Sequence, residues 1–415
     1  MARIDDSQRT YYGFLWHAIF FSITVTFTEV NTVLPALILD LGGSSYHIGI
    51  ISAIMIGIPL ITKLMFTSFL SKQERKQPYL LLGINLRVIS LLLIAMTLIY
   101  QTRLSFTTVI LLIYGELFLF SISGAFAGLP YIHIVGGTLS SDIRKRFFTR
   151  KQLISSLGML LSVFVAQRIL QNVAYPSSYI YLFFLAAGFL LVASFGFWSV
   201  KERPKQPEHS QSYIGILKSI PSVLKHDPSF ARYIIFSNIM SISIALIPFF
   251  IGYAKSRFII SESELSYILV VQIMGMIISS LIWPRVVSRG GFKQILRLRV
   301  WLSILLPLGA ILMGLYGNFS LYLVIVFFIG FSISARTVSE DAVLIELSDD
   351  QSRVLYSGII GTMNVSIIIF PILLGILIAI TGSVPIFIGV SIVSISGFYF
   401  LKRMVCPVDI KSYNG

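Results

Sequence analysis

One cysteine stands in the 415 residues of this chain. Cys406 alone excludes an intramolecular disulfide and any metal site built on paired cysteines. Histidine is scarce too, and His17 and His133 have no partner at metal-ligand spacing. No metal and no cofactor is expected. Charge is the scarcest class for the length: 12% of residues are charged and 56% are hydrophobic. A soluble domain must cover its surface with polar groups, so this balance excludes one. The phosphate-cradling glycine-rich loop ending in Lys and Ser or Thr is missing, so the chain powers nothing by ATP itself. No Ser/His/Asp set sits on a recognisable turn, so no enzyme and no catalytic residue is expected. Pore-loop signatures of a channel are also absent.

What the sequence has instead is apolar runs near the length of a bilayer span, about 20 residues. Only helices or closed barrels satisfy the backbone in lipid. Barrel strands would alternate polar and apolar residues, and "VISLLLIAMTLIY" at 88–100 does not. The expected fold class is an all-α polytopic membrane protein with the lipid bilayer as its partner. Twelve spans are expected, near 13–37, 47–70, 79–100, 107–135, 153–171, 179–200, 231–253, 264–287, 296–316, 320–344, 355–380 and 383–402. The stretch 201–229 is rich in Pro, Ser and charge. It reads as a linker between a half at 1–200 and a half at 230–415.

Basic residues set the orientation. The termini and loops 2–3, 4–5, 6–7, 8–9 and 10–11 hold 25 of the 32 Lys and Arg, and the opposite loops hold Arg103, Lys255 and Arg257. By the positive-inside rule both termini are cytoplasmic, in a plasma or inner membrane. The net charge of +14 is accounted for by this topology. Its dispersal over short loops argues against a nucleic-acid partner. "MARIDDSQRTYYG" is polar with mixed charge, so no cleavable signal peptide is expected.

The polar punctuation repeats. "LSSDIRKRFF" at 139–148 and "LSDDQSRVLY" at 347–356 align without a gap, 208 residues apart. They share Leu and Ser, pair Asp142 with Asp350, and pair Lys145 with Arg353; Arg146 follows in the first copy. "SKQERKQ" at 71–77 matches "SRGGFKQ" at 288–294, which places Arg75, Lys76, Arg289 and Lys293 in a second pair of loops. Two parallel six-helix repeats are a transporter design. In these motifs, the twelve spans and the "VKERPK" exit after span 6, the chain resembles the major facilitator superfamily. The family's loop 2–3 signature is degraded here: Lys72 and Ser288 stand where it has Asp. The resemblance implies two pseudo-symmetric halves and a central cavity lined by spans 1, 4, 7 and 10. It further implies a small-molecule substrate carried by alternating access, and a monomer is expected.

Charges inside spans mark function. Glu29 lies near the midplane of span 1, with Ser22 and Thr26 expected on the same helical face at spacings of 4 and 3. Glu116 of span 4 falls at a similar depth. Burial favours the neutral form of a carboxyl group, the chemistry a proton-coupled carrier needs. The competing reading is a hydrogen bond to a neighbouring helix. On span 10, Arg336 and Glu340 are spaced to pair, near Ser332 and Ser339. They read as an anion site or inner gate, or as a self-neutralised pair. Asn238 and Asn364 either touch substrate or join helices. Lys63 and Arg168 are placed to snorkel, and "GAFAG" at 124–128 reads as close helix packing. Span 5 lacks the Gly-Pro of drug–proton antiporters, and the sugar-porter signature after span 6 is absent. A symporter or antiporter is therefore expected, without a named solute. A uniporter and a transport-inactive receptor or assembly protein are the alternatives.

Overall fold

The computed structural model of the protein describes residues 6–70, 73–139, 141–198, 200, 202, 213–258, 260–347 and 353–404. In chain order its helices are α1 (Asp6–Phe27), α2 (Val33–Asp40), α3 (Ser45–Ser52), α4 (Ile58–Leu70), α5 (Gln77–Tyr100) and α6 (Phe106–Thr138). They continue with α7 (Ser141–Asn172), α8 (Ser177–Trp198), α9 (Tyr213–His226), α10 (Pro228–Leu246), α11 (Phe249–Arg257) and α12 (Glu262–Tyr316). The last four are α13 (Phe319–Leu347), α14 (Arg353–Met363), α15 (Ser366–Thr381) and α16 (Ser383–Arg403). A π-helical turn, Ala53–Gly57, joins α3 to α4.

Eleven helical segments among the described residues are long and apolar enough to cross a membrane, and they match the expected spans 2 to 12. The expected first span divides into α1 and α2. Ile23, Thr24, Val25, Thr26, Thr28, Val30, Thr32 and Val33 are all β-branched, and each loses side-chain freedom in a helix. Hydroxyls of Thr24, Thr26 and Thr28 also bond the carbonyls of Phe20, Ser22 and Thr24. Pro35 has no N–H for the carbonyl of Asn31. The helix stops at Phe27 for these reasons. Span 7 breaks at the matching place: α10 ends at Leu246, and Pro248 caps α11. Span 11 breaks at Asn364, between α14 and α15.

Two connections also differ from expectation. The linker carries α9. Spans 8 and 9 run through "SRGGFK" within α12 without leaving helical bonding. That helix must still turn back. Trp283 Nε1 donates to Ser334 Oγ at 3.0 Å, and Arg299 Nη1 donates to Ser339 Oγ at 2.9 Å, so both sides of the bend meet the same end of α13.

The helices pack as two compact units. The first holds the chain to Leu41 and Ile54–Gln211; the second holds Gly42–Ala53 and everything from Ser212. A single cut near residue 200 therefore misses one segment, because α3 packs with the second unit. Gly49 makes that contact possible: a Cβ there would collide with the carbonyl oxygen of Pro371.

In the first unit, Phe14, Phe147 and Phe197 are fully buried together. Glu202 of "VKERPK" caps α5, accepting from the backbone N–H of Lys76 at 2.6 Å and of Gln77 at 2.8 Å. This carboxylate satisfies donors that a helix start leaves open. In the second unit, Asp227 caps α10 by accepting from Phe230 N at 2.9 Å. Tyr356 stacks on Phe230 with ring centroids 4.0 Å apart, and donates to the other Asp227 oxygen at 3.0 Å.

Candidate functional site

The first unit holds both expected carboxyl groups. Glu29 lies in the break of span 1, so it does not share a helical face with Ser22 and Thr26. That correction follows from the β-branched run that ends α1. Glu29 is 8% exposed. Its Oε2 accepts from Asn31 N at 2.7 Å and its Oε1 from Asn31 Nδ2 at 2.9 Å, which closes the turn leading into α2. Ser22 and Thr26 face α7 instead. Ser22 Oγ lies where a Cβ on Gly158 would collide with it, and Thr26 Oγ1 accepts from Ser162 Oγ at 2.9 Å.

Glu116 is equally buried, on α6 against α5. Thr97 Oγ1 donates to its Oε1 at 2.7 Å, and Ser90 donates to its backbone oxygen. Its Oε2 is buried with no hydrogen-bond partner among the described residues. Most buried polar atoms in proteins are satisfied. This oxygen is therefore a place for a proton.

Sequence reasoning passed over Arg87. It lies ten residues past the start of α5, inside span 3, and the rule that singled out Glu29 and Glu116 applies equally to it. Its guanidinium lies 4.0 Å from the ring centre of Phe120 and 4.9 Å from that of Phe21. Gly124 of "GAFAG" gives it room, since a Cβ there would sit 3.3 Å from the guanidinium. The same segment also serves packing: a Cβ on Gly83 would lie 2.8 Å from Ala127.

In the second unit, Asn238 and Asn364 meet. Asn238 Nδ2 donates to Asn364 Oδ1 at 3.2 Å, Ser366 Oγ donates to Asn238 Oδ1 at 2.6 Å, and Ser241 Oγ donates to Ser366 Oγ at 2.8 Å. This network ties α10 to the break of span 11. Ser339, expected beside Arg336 and Glu340, instead receives the buried Arg299 and donates to the Arg336 carbonyl at 3.2 Å. A cleft of about 540 Å³ lies at the other end of this unit, lined by Ser45, Tyr253, Ser256, Arg257, Thr381 and Ser383 among others.

Of the loop motifs, Arg75 and Arg146 are exposed. Lys76 is buried, and Lys293 Nζ donates to the Met404 carbonyl at 2.9 Å, closing the end of α16. The side chains of Asp142, Lys145, Arg289, Glu340 and Arg353, and all of Asp350, lie outside the described residues. No group of three or more His, Cys, Asp or Glu that could hold a metal ion occurs among the described residues.

The sequence pattern of the Major Facilitator Superfamily matches residues 15–335. The chain belongs to this superfamily. It is a multi-pass membrane transporter for a small molecule, not an enzyme. Solved structures carry the same fold. A mutant of the nucleoside transporter NupG aligns over 96% of this chain and 100% of its own, with a TM-score of 0.69 and 12% identity. The human organic anion transporter MFSD10 aligns over 96% and 100%, with a TM-score of 0.64 and 14% identity. Unmutated NupG gives 97%, 99%, 0.63 and 14%. No curated protein sequence matches the chain.

Proposed function

We propose that this protein is a proton-coupled secondary active transporter that moves its solute by alternating access. It works as a monomer in the cell membrane with both termini in the cytoplasm. The observation that carries the coupling is Glu116: a buried carboxyl with one oxygen bonded to Thr97 and the other without a partner among the described residues. Such a group takes and releases a proton as its surroundings change. Glu29, whose two oxygens are engaged by Asn31, is the second candidate. The helix breaks favour the carrier reading. Interrupted spans in corresponding places of two repeats mark binding sites in transporters, and here spans 1 and 7 are interrupted alike. Asn238, Ser241, Asn364 and Ser366 then offer polar contacts to solute beside the span 11 break. Arg336 and Glu340 form the inner gate or an anion contact.

The test is transport in proteoliposomes with an imposed pH gradient. Solute-dependent proton movement that Glu116→Gln abolishes supports the reading. Solute flux with no proton movement in the unmodified protein makes it a uniporter.

A further inference from the structure

A second group of polar side chains in the first unit is not used by proton coupling. His17 stacks between Phe21 and Phe197, with ring centroids 5.2 and 4.3 Å away, and lies 6.0 Å from the Tyr131 ring. Lys151 Nζ stands 4.8 Å from the Tyr131 ring centre. Arg87 lies across Phe21, on the ring that His17 stacks against. His17 is within electrostatic reach of both Lys151 and Arg87. Spans 1, 3, 4 and 5 thus bring two cations, an imidazole and a phenol together among aromatic rings.

Three of these groups are incomplete. Arg87 Nε, His17 Nε2 and Tyr131 OH are buried without a hydrogen-bond partner among the described residues. None of the four residues has an acidic ion-pair partner among the described residues. One orphaned buried donor is uncommon. Two orphaned donors, Arg87 Nε and Tyr131 OH, beside the Lys151 ammonium and the unsatisfied His17 Nε2, form a set with too few acceptors among the described residues. Cation–π contact offsets part of the burial cost of Arg87, but a ring face leaves its N–H groups unused.

We propose that Arg87, His17, Tyr131 and Lys151 bind an organic anion, with a carboxylate or phosphate group on the Arg87 donors and an apolar or aromatic body against Phe21. Arginine suits this role because its planar donors match such oxyanions. The arrangement also connects to Glu116, four residues from Phe120 on the same face of α6. A proton taken there offsets the charge of an entering anion. The inference rests on the carrier reading and names its substrate class.

The experiment is thermal stabilisation of the purified full-length protein in detergent by benzoate and phenyl phosphate, against benzyl alcohol and benzylamine. The anions should stabilise saturably and the neutral and cationic probes should not. Arg87→Gln should weaken apparent anion affinity by roughly tenfold to a hundredfold, the range of a charge-assisted hydrogen bond. Tyr131→Phe and Lys151→Gln should weaken it by smaller factors, and Arg87→Lys should recover part. Failure of both anions to stabilise the unmodified protein overturns the proposal, as does equal stabilisation by all four probes. A purely structural Arg87 would lower the unfolding midpoint of Arg87→Gln while leaving anion preference intact in the folded fraction, which also overturns it. Should Arg87→Gln not fold, unchanged anion affinity in both Tyr131→Phe and Lys151→Gln has the same force. Binding in detergent needs no gradient, so its failure counts against the anion site alone. Persistence of coupling in Glu116→Gln counts against the coupling.

Discussion

Replacing Glu116 by Gln separates the proton from the scaffold. Thr97 donates to Oε1 at 2.7 Å, and a Gln carbonyl keeps that acceptor. The new amide nitrogen takes the place of Oε2, which has no partner among the described residues, so no protein hydrogen bond is lost there. Stability should change by no more than about 1 kcal/mol. Coupling should change completely. One pH unit across the membrane supplies about 1.4 kcal/mol per proton, so a carrier taking one proton per solute accumulates about tenfold. In the Glu116→Gln variant the ratio should fall to about one while exchange of labelled solute continues. The assay is accumulation and counterflow in proteoliposomes, on a solute found by uptake screening at two pH values. Glu29→Gln is the control with the opposite profile. Gln has one acceptor oxygen, so one of the two bonds to Asn31 goes, costing roughly 1–2 kcal/mol. Its unfolding midpoint and rate should fall while its accumulation ratio stays. A folded, exchanging Glu116→Gln that still reaches the unmodified ratio refutes the assignment. Coupling then moves to Glu29 if that control collapses, and otherwise to Glu340 or Asp341.

The cleft and the packing give three more tests. Ser45→Cys with Ser256→Cys, in a Cys406→Ser background, places two thiols on the cleft of the second unit; both lie in that unit, so bridging them with a bifunctional maleimide should leave the transport rate unchanged, and an arrested carrier refutes alternating access by units that move as rigid bodies. Gly158→Val sets a side chain against Ser22 and the Ile19 carbonyl, 3.0 Å from the added Cβ, and should cost about 1–3 kcal/mol in thermal unfolding. Tyr356→Phe removes the bond to Asp227 while keeping the stack on Phe230; it should lower stability by about 1–3 kcal/mol, and an unchanged midpoint would assign the anchoring to the ring alone.

Fold class was legible because lipid leaves so few options. Twenty apolar residues without alternation can only be a helix, and every expected span from the second onward has its helical segment. The first span was legible as an apolar run but not as two helices. Its break depends on local competition between Thr hydroxyls and the helix ladder, which hydropathy averages away. Pairings were harder still. Ser22 and Thr26 are polar residues of span 1, yet whether they face solute or α7 depends on the smallness of Gly158, far along the chain. Arg87 was visible as a charge in a span, but its environment is made by Phe21, Phe120 and Gly124 from two other helices. Asn238 and Asn364 were each ambiguous alone; only folding puts them 3.2 Å apart.

The repeated loops gain a physical meaning from their aromatic ends. In the first copy Phe147 is buried against Tyr11 and Phe14 of α1, with ring centroids 5.7 and 6.4 Å away. In the second copy Tyr356 meets Asp227 and Phe230 at the start of α10. Tyr11 and Asp227 lie 216 residues apart, and so do Phe14 and Phe230. Each repeat therefore fastens the helix after its polar stretch to the first helix of its own half. The chemistry of the fastening has diverged, from rings alone to a ring plus a carboxylate, and its position has moved by one residue: Phe147 aligns with Leu355, and Tyr356 with the exposed Phe148. A polar stretch rich in Arg and Lys gains little by burial, so its register must be held by a neighbour that does gain. The aromatic residue supplies that hold, and Arg146 beside the first one is exposed. This is why "LSSDIRKRFF" and "LSDDQSRVLY" each keep a fastening aromatic within their last two residues while their middles drift.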